Sequence, residues 1–369
     1  MQDERTDWLL GELNKAYRRA RLGKTKTPQV VEFDKVAKVE LAALAREIHG
    51  RTYTPRPSTA FIVNRPVKRE IFAADFRDRV VHHFLFNQVN PWWDARFIED
   101  NYSCRKGKGT LYGIRRLDHH IRSVSRNYTR PAYVLKLDLQ GYFMSLDRKK
   151  LYSRAVWGLD RQFPDRGYAY QICKFLWKVI IFNDPLKDVL LSCPRTAWKG
   201  LPPSKSLFRQ PKGRGIAIGN LTSQLLSNIY LDQLDRFVTL ELGFRHYGRY
   251  VDDFYIVSTG KSQLVTAMRN IEQYLEMQLR LKLHPYKRHL QECHRGISFL
   301  GAVVYPYRMH AGKRLKCNLL AALSSPDCSR ETEASYRGLV KHFRHSRLLS
   351  SLDHLDSRGG GARMKTCLV

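Results

Sequence analysis

The chain has 369 residues, 43% of them hydrophobic, which is enough for two or three packed domains with a sizeable core. Its 64 Lys and Arg against 34 Asp and Glu give a formal net charge of +30, which favours a polyanionic partner, most often nucleic acid. The polar start MQDERTDW excludes a signal peptide, no apolar run reaches membrane-spanning length, and seven cysteines without CxxC spacing favour reduced thiols in the cytoplasm.

The first third of the sequence is predicted to be mainly helical. Trp8, Leu13 and Tyr17 recur at helical spacing near the N-terminus. The predicted elements are helices over 5–22, 34–49 and 75–96, two short strands around 59–72, a basic loop over 102–110 and a helix after that loop.

The rest of the sequence alternates strands with helices. A strand starts at Ala132 in AYVLKLDLQGYF and ends in an acid followed by aromatic residues. The predicted elements after it are helices near 148–157 and 165–181, a long loop over 183–217, a helix from about Ser223, a hairpin containing YVDD, a helix over 261–279, strands around 297–304 and 313–317, and a basic helical tail after 330.

The stretch GRYVDDFYIVS places Asp252 and Asp253 side by side in an otherwise apolar, β-branched and aromatic run. Two like charges in a half-buried strand are costly unless something neutralises them. If the strand that ends at Asp138 lies beside this hairpin, three carboxylates meet at one edge of a sheet. That cluster suits two Mg²⁺ ions, with Mn²⁺ as a possible substitute, which would activate a 3′-hydroxyl and hold a nucleotide triphosphate. A polar hairpin turn without metal is the alternative for YVDDF alone.

The arrangement resembles the palm of reverse transcriptases, whose signature is Tyr-x-Asp-Asp. The similarity covers about residues 60–305 and extends weakly into the thumb. The stretches that carry it are VKREIFAADFRDRVVHH (67–83), GIAIGNLTSQLLSNIYLDQLDRFV (215–238), LRLKLHPYK (279–287) and ISFLGAVV (297–304). The resemblance implies an RNA-directed DNA polymerase with an α+β fold of the right-hand polymerase type. Its palm would be an antiparallel sheet backed by helices, accompanied by fingers and a helical thumb.

The same resemblance implies a division of the chain into domains. The expected parts are an N-terminal helical extension (1–58), fingers (59–131 and 165–217), a palm (132–164 and 218–305), a thumb (306–350) and a flexible basic tail (351–369).

Within that superfamily, the chain is most similar to the reverse transcriptases of diversity-generating retroelements. LPPSKSLF precedes IGNLTSQ, Ile218 stands where most reverse transcriptases have Gln, and Gln224 stands where intron-type enzymes have Pro. SYRGLVKH (335–342) resembles the thumb segment of that group. The resemblance implies a bacterial or phage-encoded enzyme that copies a template RNA with frequent errors at adenines and so diversifies a target gene. It also implies a small basic accessory variability protein, itself oligomeric, as a partner beside RNA, the cDNA/RNA duplex and dNTPs.

Further site residues follow from the resemblance and from side-chain chemistry. Phe143 would exclude a 2′-hydroxyl, with Tyr142 as a rival for that position, and Lys287 would protonate the leaving pyrophosphate. The nucleotide-binding set is Arg69, Arg79, Leu139, Phe143, Ile218, Gly219 and Gln224, and Leu139 joins Asp138, Asp252 and Asp253 in the metal set. The predicted RNA-binding residues are Arg105, Lys106, Lys108, Lys212 and Arg214, for which solvated surface charge is the alternative.

Other functions stay open at this point. A reverse transcriptase of retron, intron or phage-defence type is the first, although Ile218 and Gln224 argue against the intron type. Phe143 argues against an RNA-dependent RNA polymerase. The intact set of three acids argues against a catalytically silent RNA-binding scaffold. A palm-fold nucleotide cyclase would need neither the fingers nor the net charge of +30.

Overall fold

A computed structural model describes residues 2–64, 67–323, 329, 331–332, 334–335, 338 and 341–343. The predicted tail (351–369) and much of the predicted thumb, including half of SYRGLVKH, lie outside the described residues. No helix in these ranges is long and apolar enough to cross a membrane.

Helices and strands alternate irregularly along the chain. Up to residue 182 the elements are α1 (Gln2–Ala20), α2 (Pro28–His49), β1 (Thr59–Val63), β2 (Arg69–Ala73), α3 (Phe76–Asp94), α4 (Thr110–Ser125), β3 (Tyr133–Leu139), α5 (Tyr142–Ser145), α6 (Arg148–Gln162) and α7 (Tyr168–Phe182). After it come β4 (Leu190–Leu191), α8 (Leu221–Arg236), β5 (Tyr247–Tyr250), β6 (Asp253–Ser258), α9 (Lys261–Tyr274), β7 (Leu283–Glu292), β8 (Ile297–Phe299), β9 (Ala302–Tyr305), β10 (Arg308–Ala311) and α10 (Lys313–Leu323).

The central sheet has the strand order β5-β6-β3-β7, with every neighbouring pair antiparallel. Its apolar side chains join one large core with those of α3, α6 and α8. Helix α8 is buried along most of its length, including Leu226, Tyr230 and Leu234, because it lies between the sheet and the other helices. The predicted α+β fold, with an antiparallel palm sheet backed by helices, is confirmed.

A second sheet joins strands from residues 59–73 with a strand from the long loop over 183–217, in the order β2-β1-β4. Strands β1 and β2 form an antiparallel hairpin, and the two-residue β4 from that loop pairs with β1 in parallel. Helix α3 starts next to this hairpin, where the Asp75 side chain accepts a hydrogen bond from the Arg77 amide and so caps the helix.

Two sequence predictions fail in the C-terminal half. Residues 313–317, predicted as a strand, start helix α10, because KRLKCNLLAAL is rich in helix formers and spaces Leu315 and Leu319 one turn apart. Strand β7 was not predicted, because its residues LHPYKRHLQE are mostly polar and lack a clear apolar alternation.

Candidate active site

Three carboxylates meet at one edge of the central sheet. In the register of β3 and β6, Asp138 stands directly opposite Asp253. The Leu139 amide donates to the carbonyl oxygen of Asp252 at 3.2 Å, which ties the β5–β6 turn to the end of β3. The two strands are therefore neighbours, as the three-acid cluster predicted from the sequence requires.

Burial dominates the electrostatics of the two adjacent acids. Burial and, second to it, the nearby Asp138 carboxylate raise the pKa of Asp252 to about 6. Burial also raises the pKa of Asp253 to about 7, although the Lys136 ammonium acts in the opposite direction. Both acids are thus costly to ionise unless a cation compensates their charge.

Two lysines supply part of that compensation. The Lys287 Nζ donates to Asp138 Oδ2 at 2.8 Å, and the Lys136 Nζ lies 3.4 Å from Asp253 Oδ2. The other oxygen of Asp253, Oδ1, is buried and has no hydrogen-bond partner.

Within the described ranges, no three His, Cys, Asp or Glu side chains are grouped to hold a metal ion as they stand. The donor set nevertheless suits a hard divalent cation, because it offers three carboxylates, one with an unsatisfied buried oxygen. The half-exposed Lys287 has room to move away from Asp138 when such a cation binds.

Strand β7 bulges beside this cluster. Leu137 pairs with Arg288 and Leu139 pairs with Leu283, so the four residues of 284–287 stand opposite Asp138 alone. Bulges re-aim side chains next to active sites. This one directs Lys287 to Asp138 and leaves Tyr286 86% exposed.

The two predicted triphosphate-binding arginines differ in their surroundings. Arg69 is exposed at the start of β2, and its positive charge acts to lower the pKa of Asp252, so it lies within electrostatic range of the acid cluster. Arg79 instead donates to the Ala74 carbonyl at 2.8 Å and to Gln29 Oε1 at 3.3 Å. The structure thus brings Arg69, but not Arg79, toward the three acids.

The segment from Ile218 to Asn220 lies along β2. The Phe72 amide donates to the Ile218 carbonyl at 2.8 Å. Gly219 has a φ of 128°, and a Cβ at this position would stand 2.9 Å from Ile71 Cγ2 and 3.0 Å from the Phe72 carbonyl oxygen. Only glycine fits there, because any side chain would collide with β2.

The Ile218 side chain is half-buried against a small apolar cluster of Ala60, Phe72, Met144 and Leu207. Gln224, the other residue that distinguishes the sequence from intron-type enzymes, is exposed in the first turn of α8. Leu139 is buried, and its backbone lies beside the acid cluster through the amide bond to Asp252.

The structure separates the two rivals for the sugar-discriminating position. Tyr142 is 2% exposed, and its hydroxyl donates to the Ser227 carbonyl at 2.7 Å, so the ring belongs to the core. Phe143 is only half-buried and packs against Tyr142 with ring centroids 5.3 Å apart. Of the two rings, only that of Phe143 is available to a bound nucleotide.

We expect Phe143→Val to raise ribonucleotide incorporation relative to deoxynucleotide incorporation by about tenfold or more, a typical effect of reshaping a pocket by one side chain. The smaller residue leaves room for a 2′-hydroxyl. The measurement is single-nucleotide extension with rGTP and dGTP opposite a template C. Tyr142→Phe, which loses only the bond to Ser227, is the control. An unchanged ratio in Phe143→Val would make Phe143 a packing residue.

Most of the predicted RNA-binding residues are engaged within the protein. Arg105 donates to Asp94 Oδ1 at 2.6 Å and to three backbone carbonyls, and its side chain is only 8% exposed. Lys108 lies 3.1 Å from Glu99 Oε1, and Arg214 donates to the Ser145 and Arg280 carbonyls. Lys106 and Lys212 are exposed. The surroundings of Arg105 therefore indicate a structural role that the sequence did not predict.

Three charged residues in strands β2, β3 and β5 were not predicted from the sequence to support the site. Lys136 precedes Asp138 by two positions, and strand alternation places both on one face. Glu70 and Arg249 are charged residues inside short strands and are completely buried. A charged residue within a short apolar strand is recognisable from the sequence as unusual. Its role was not predictable, because the partners that neutralise its charge lie far away in the sequence.

Comparisons with known proteins identify the family of the chain. The family described as reverse transcriptase (RNA-dependent DNA polymerase) matches residues 68–304. Protein YkfC of Escherichia coli (strain K12) is 24% identical over 297 residues, which are 71% of this chain and 70% of that protein.

Among solved structures, telomerase from Candida albicans, in complex with a TWJ fragment of telomeric RNA, matches with a TM-score of 0.50 and 11% identity. The match covers 89% of this chain and 59% of that one. Apo telomerase from Candida tropicalis matches with a TM-score of 0.45 and 11% identity, over 88% of this chain and 66% of that one. The chain thus spans less than two thirds of these telomerase chains, and at this identity the likeness concerns the fold alone.

Proposed function

The chain belongs to the reverse transcriptase family and is an RNA-directed DNA polymerase, and we propose that it works by nucleotidyl transfer with two magnesium ions held at Asp138, Asp252 and Asp253. Enzymes of this family use divalent metal ions. The observation that carries the proposal is the register of β3 and β6, which sets Asp138 opposite Asp253. When bound, the ions would activate the primer 3′-hydroxyl and neutralise charge on the triphosphate.

The protein's own side chains do the rest. Arg69 binds the triphosphate from the fingers, since a guanidinium suits phosphate oxygens. Lys287, which donates to Asp138 at 2.8 Å, gives a proton to the leaving pyrophosphate. Gly219 lets the backbone approach the nascent base pair, and Phe143 packs under the sugar.

Primer extension on an RNA template tests this proposal. We expect incorporation of dNTPs that stops with EDTA and returns with Mg²⁺, with Mn²⁺ as a weaker or less accurate substitute. Extension that continues in EDTA would contradict the metal assignment.

We further propose that the enzyme belongs to a diversity-generating retroelement and diversifies a target gene by mutagenic retrohoming in a bacterial cytoplasm. The support is the sequence context of Ile218, between LPPSKSLF and Gln224. The apolar surroundings of Ile218 are consistent with it, because the side chain packs against Phe72 and Leu207 rather than offering a hydrogen bond. Exposed lysines such as Lys106 and Lys212 would contact the template RNA, and a small basic accessory protein would bind the RNA and the polymerase.

Ile218 gives this proposal a direct test. Gln at this position donates and accepts hydrogen bonds near the incoming nucleotide, whereas Ile does neither. A neutral hydrogen bond contributes about 0.5–1.5 kcal/mol, a factor of roughly 2 to 12 in choosing between nucleotides. We expect the wild type to err mainly opposite template adenine, and Ile218→Gln to lower those errors more than errors opposite C, G or U.

The measurement is sequencing of cDNA made from one template that contains all four bases. Ile218→Leu is the matched control, because it keeps an apolar side chain without adding a hydrogen bond. A uniform change across the four bases would place the cause of infidelity elsewhere. The candidates are then the loop over 201–215 and the accessory protein.

A further inference from the structure

The turn that carries the two adjacent acids has an unfavourable backbone conformation. Val251, between β5 and β6, has a φ of 56°. In this left-handed region the Cβ of an L-residue crowds the backbone, and a β-branched residue is a genuine outlier there. Such a conformation persists only where the surroundings hold it. Because Val251 directly precedes Asp252, its conformation sets the direction in which the Asp252 carboxylate leaves the chain.

One buried side chain contacts this turn from inside the protein. Arg249 is completely buried, and its Nη1 donates to the Val251 carbonyl oxygen at 3.0 Å. The other edge of the guanidinium donates from Nε and Nη2 to the two oxygens of Asp235, both at 2.6 Å. Asp235 lies on α8 and is also completely buried, so a rigid helix is connected to the turn through one guanidinium.

The backbone around Arg249 is fixed as well. The Arg249 amide donates to the Asp100 carbonyl at 2.9 Å, and the Tyr102 amide donates to the Arg249 carbonyl at 2.9 Å. On the far side of the turn, the Asp252 carbonyl accepts from the Leu139 amide at 3.2 Å. The carbonyl oxygens of Val251 and Asp252 therefore each accept a hydrogen bond, from the Arg249 side chain and from the Leu139 amide.

A buried ion pair by itself is weak evidence for a contribution to stability, because desolvation offsets the attraction. The third hydrogen bond, to a carbonyl in an unfavourable turn, gives this pair a more specific role. It also explains why the residue is Arg, whose planar fork holds a carboxylate bidentately and still reaches the carbonyl. Lys has one point charge on a flexible stem and lacks that geometry.

We propose that Arg249, clamped by Asp235, is a positioning residue that holds Val251 in its left-handed conformation and thereby aims the Asp252 and Asp253 carboxylates at the reacting groups. The inference rests on the proposed function in one respect, namely that these two acids are catalytic. It adds a support that connects α8 with the turn and touches neither substrate nor metal.

The first test compares Arg249→Lys with Tyr247→Phe. The Tyr247 hydroxyl donates to the same Asp235 carboxylate at 2.7 Å, so its loss perturbs the buried pair and leaves the bond to Val251 intact. We expect Arg249→Lys to lower kcat for dNTP addition by about 10- to 100-fold with little change in KM, since misplacement of a reacting group by about 1 Å has effects of this size. Tyr247→Phe should lower the Tm and leave kcat unchanged. Wild-type kcat in folded Arg249→Lys overturns the proposal.

The second test repeats Arg249→Lys in a Val251→Gly background. Glycine adopts a φ near 56° without crowding, so the turn then depends less on the hydrogen bond from Arg249. We expect the loss of kcat caused by Arg249→Lys to be at least several-fold smaller in the Val251→Gly background than in the wild-type background. A loss of equal size in both backgrounds means that Arg249 does not act through Val251 and overturns the proposal.

The experiment stays decisive if Arg249→Lys does not fold. The double variant Asp235→Leu/Arg249→Met replaces the ion pair by apolar side chains, a change that proteins often tolerate. It still removes the hydrogen bond from residue 249 to the Val251 carbonyl. The same loss of kcat is expected, and an unchanged kcat is contrary to the proposal. Asp252→Asn, assayed alongside, separates the two assignments. If Asp252→Asn stays active, the catalytic assignment of the acids fails. If Asp252→Asn is inactive while the folded Arg249 variants are fully active, only the positioning role of Arg249 fails.

Discussion

Asp252→Asn is expected to abolish primer extension, with a fall in rate on the order of 10³-fold or more, as for other essential charged catalytic groups. The amide has nearly the same shape as the carboxylate, so packing is preserved while the negative charge that would hold a cation is lost. The same result is expected for Asp138→Asn. The measurement is Mg²⁺-dependent extension of a primer on RNA at saturating dNTP.

The stability of the same variant separates loss of chemistry from loss of fold. Burial raises the pKa of Asp252 to about 6, above its ordinary value of about 3.9. A raised carboxyl pKa means that the folded state binds the proton more tightly, so this group destabilises the metal-free protein increasingly as pH rises from about 4 through 6. Asp252→Asn removes that penalty. In EDTA it should therefore have a higher Tm than wild type at pH 8 and a similar Tm at pH 4.

The control is Asp118→Asn, which breaks a surface pair with Arg122 four residues away on α4. It should keep full activity and show no comparable gain in Tm at pH 8. An Asp252→Asn protein that melts well below wild type would have lost activity through unfolding. One that extends primers at the wild-type rate would refute the assignment of the acids.

The meeting of the three acids was predictable because the sequence pattern behind it is local. Asp252 and Asp253 are adjacent in a strand-like run, and Asp138 ends a mostly apolar run, so one assumption about strand pairing brought the three acids together. Most helices followed from apolar spacing in the same way, whereas the α+β class followed from the resemblance to reverse transcriptases. Strand β7 has no such pattern, since the bulge at 284–287 interrupts the alternation that reveals a strand.

The supports of the site were not predictable, because they depend on contacts between distant residues. Arg249 and Asp235 lie 14 positions apart in different elements, and Glu70 lies 128 positions from Trp198. Local periodicity carries no information about which charge on another element will neutralise a buried one. A buried Glu in a strand is recognisable from the sequence as unusual, but its partners are seen only in the folded chain.

Glu70 shows what such a support does. It lies on β2, directly after Arg69, and is completely buried. Its Oε1 accepts from Trp198 Nε1 at 2.6 Å and from Ser206 Oγ at 2.8 Å. Its Oε2 accepts from the Leu207 amide at 2.5 Å. One carboxylate therefore holds both ends of the segment 198–207 against the β1–β2 hairpin.

That segment contacts the end of β3, the strand that carries Asp138. A Cβ on Gly141, just beyond β3, would collide with the Ser204 carbonyl oxygen, so loop and strand end are in close contact. Leu207 also belongs to the cluster against which Ile218 packs. Release of the loop would therefore disturb the apolar packing of Ile218 and the backbone just beyond Asp138.

Glu70→Ala is expected to release this loop without unfolding the rest of the protein. A buried donor left unpaired costs about 1–3 kcal/mol, and the substitution leaves three of them, so local opening becomes the easiest relief. The loop over 195–209, which contains this segment, carries four trypsin sites, Arg195, Lys199, Lys205 and Arg209. Cleavage that depends on opening follows the population of the open state, so the rate should rise by at least about tenfold. Primer extension should weaken in parallel, chiefly through a higher KM for dNTP.

Two further variants make the Glu70 result specific. Glu70→Gln keeps one oxygen for Trp198 and Ser206 but sets an NH₂ group against the Leu207 amide, so its cleavage rate should lie between those of wild type and Glu70→Ala. Glu272→Ala removes a carboxylate that pairs with Arg288 at the periphery, where the Glu side chain is 33% exposed, and should leave cleavage of the 195–209 loop unchanged. If Glu70→Ala is cleaved no faster than wild type, the loop is held by its apolar contacts, Phe208 against Phe72 and Trp198 among them, and the carboxylate is dispensable for its position.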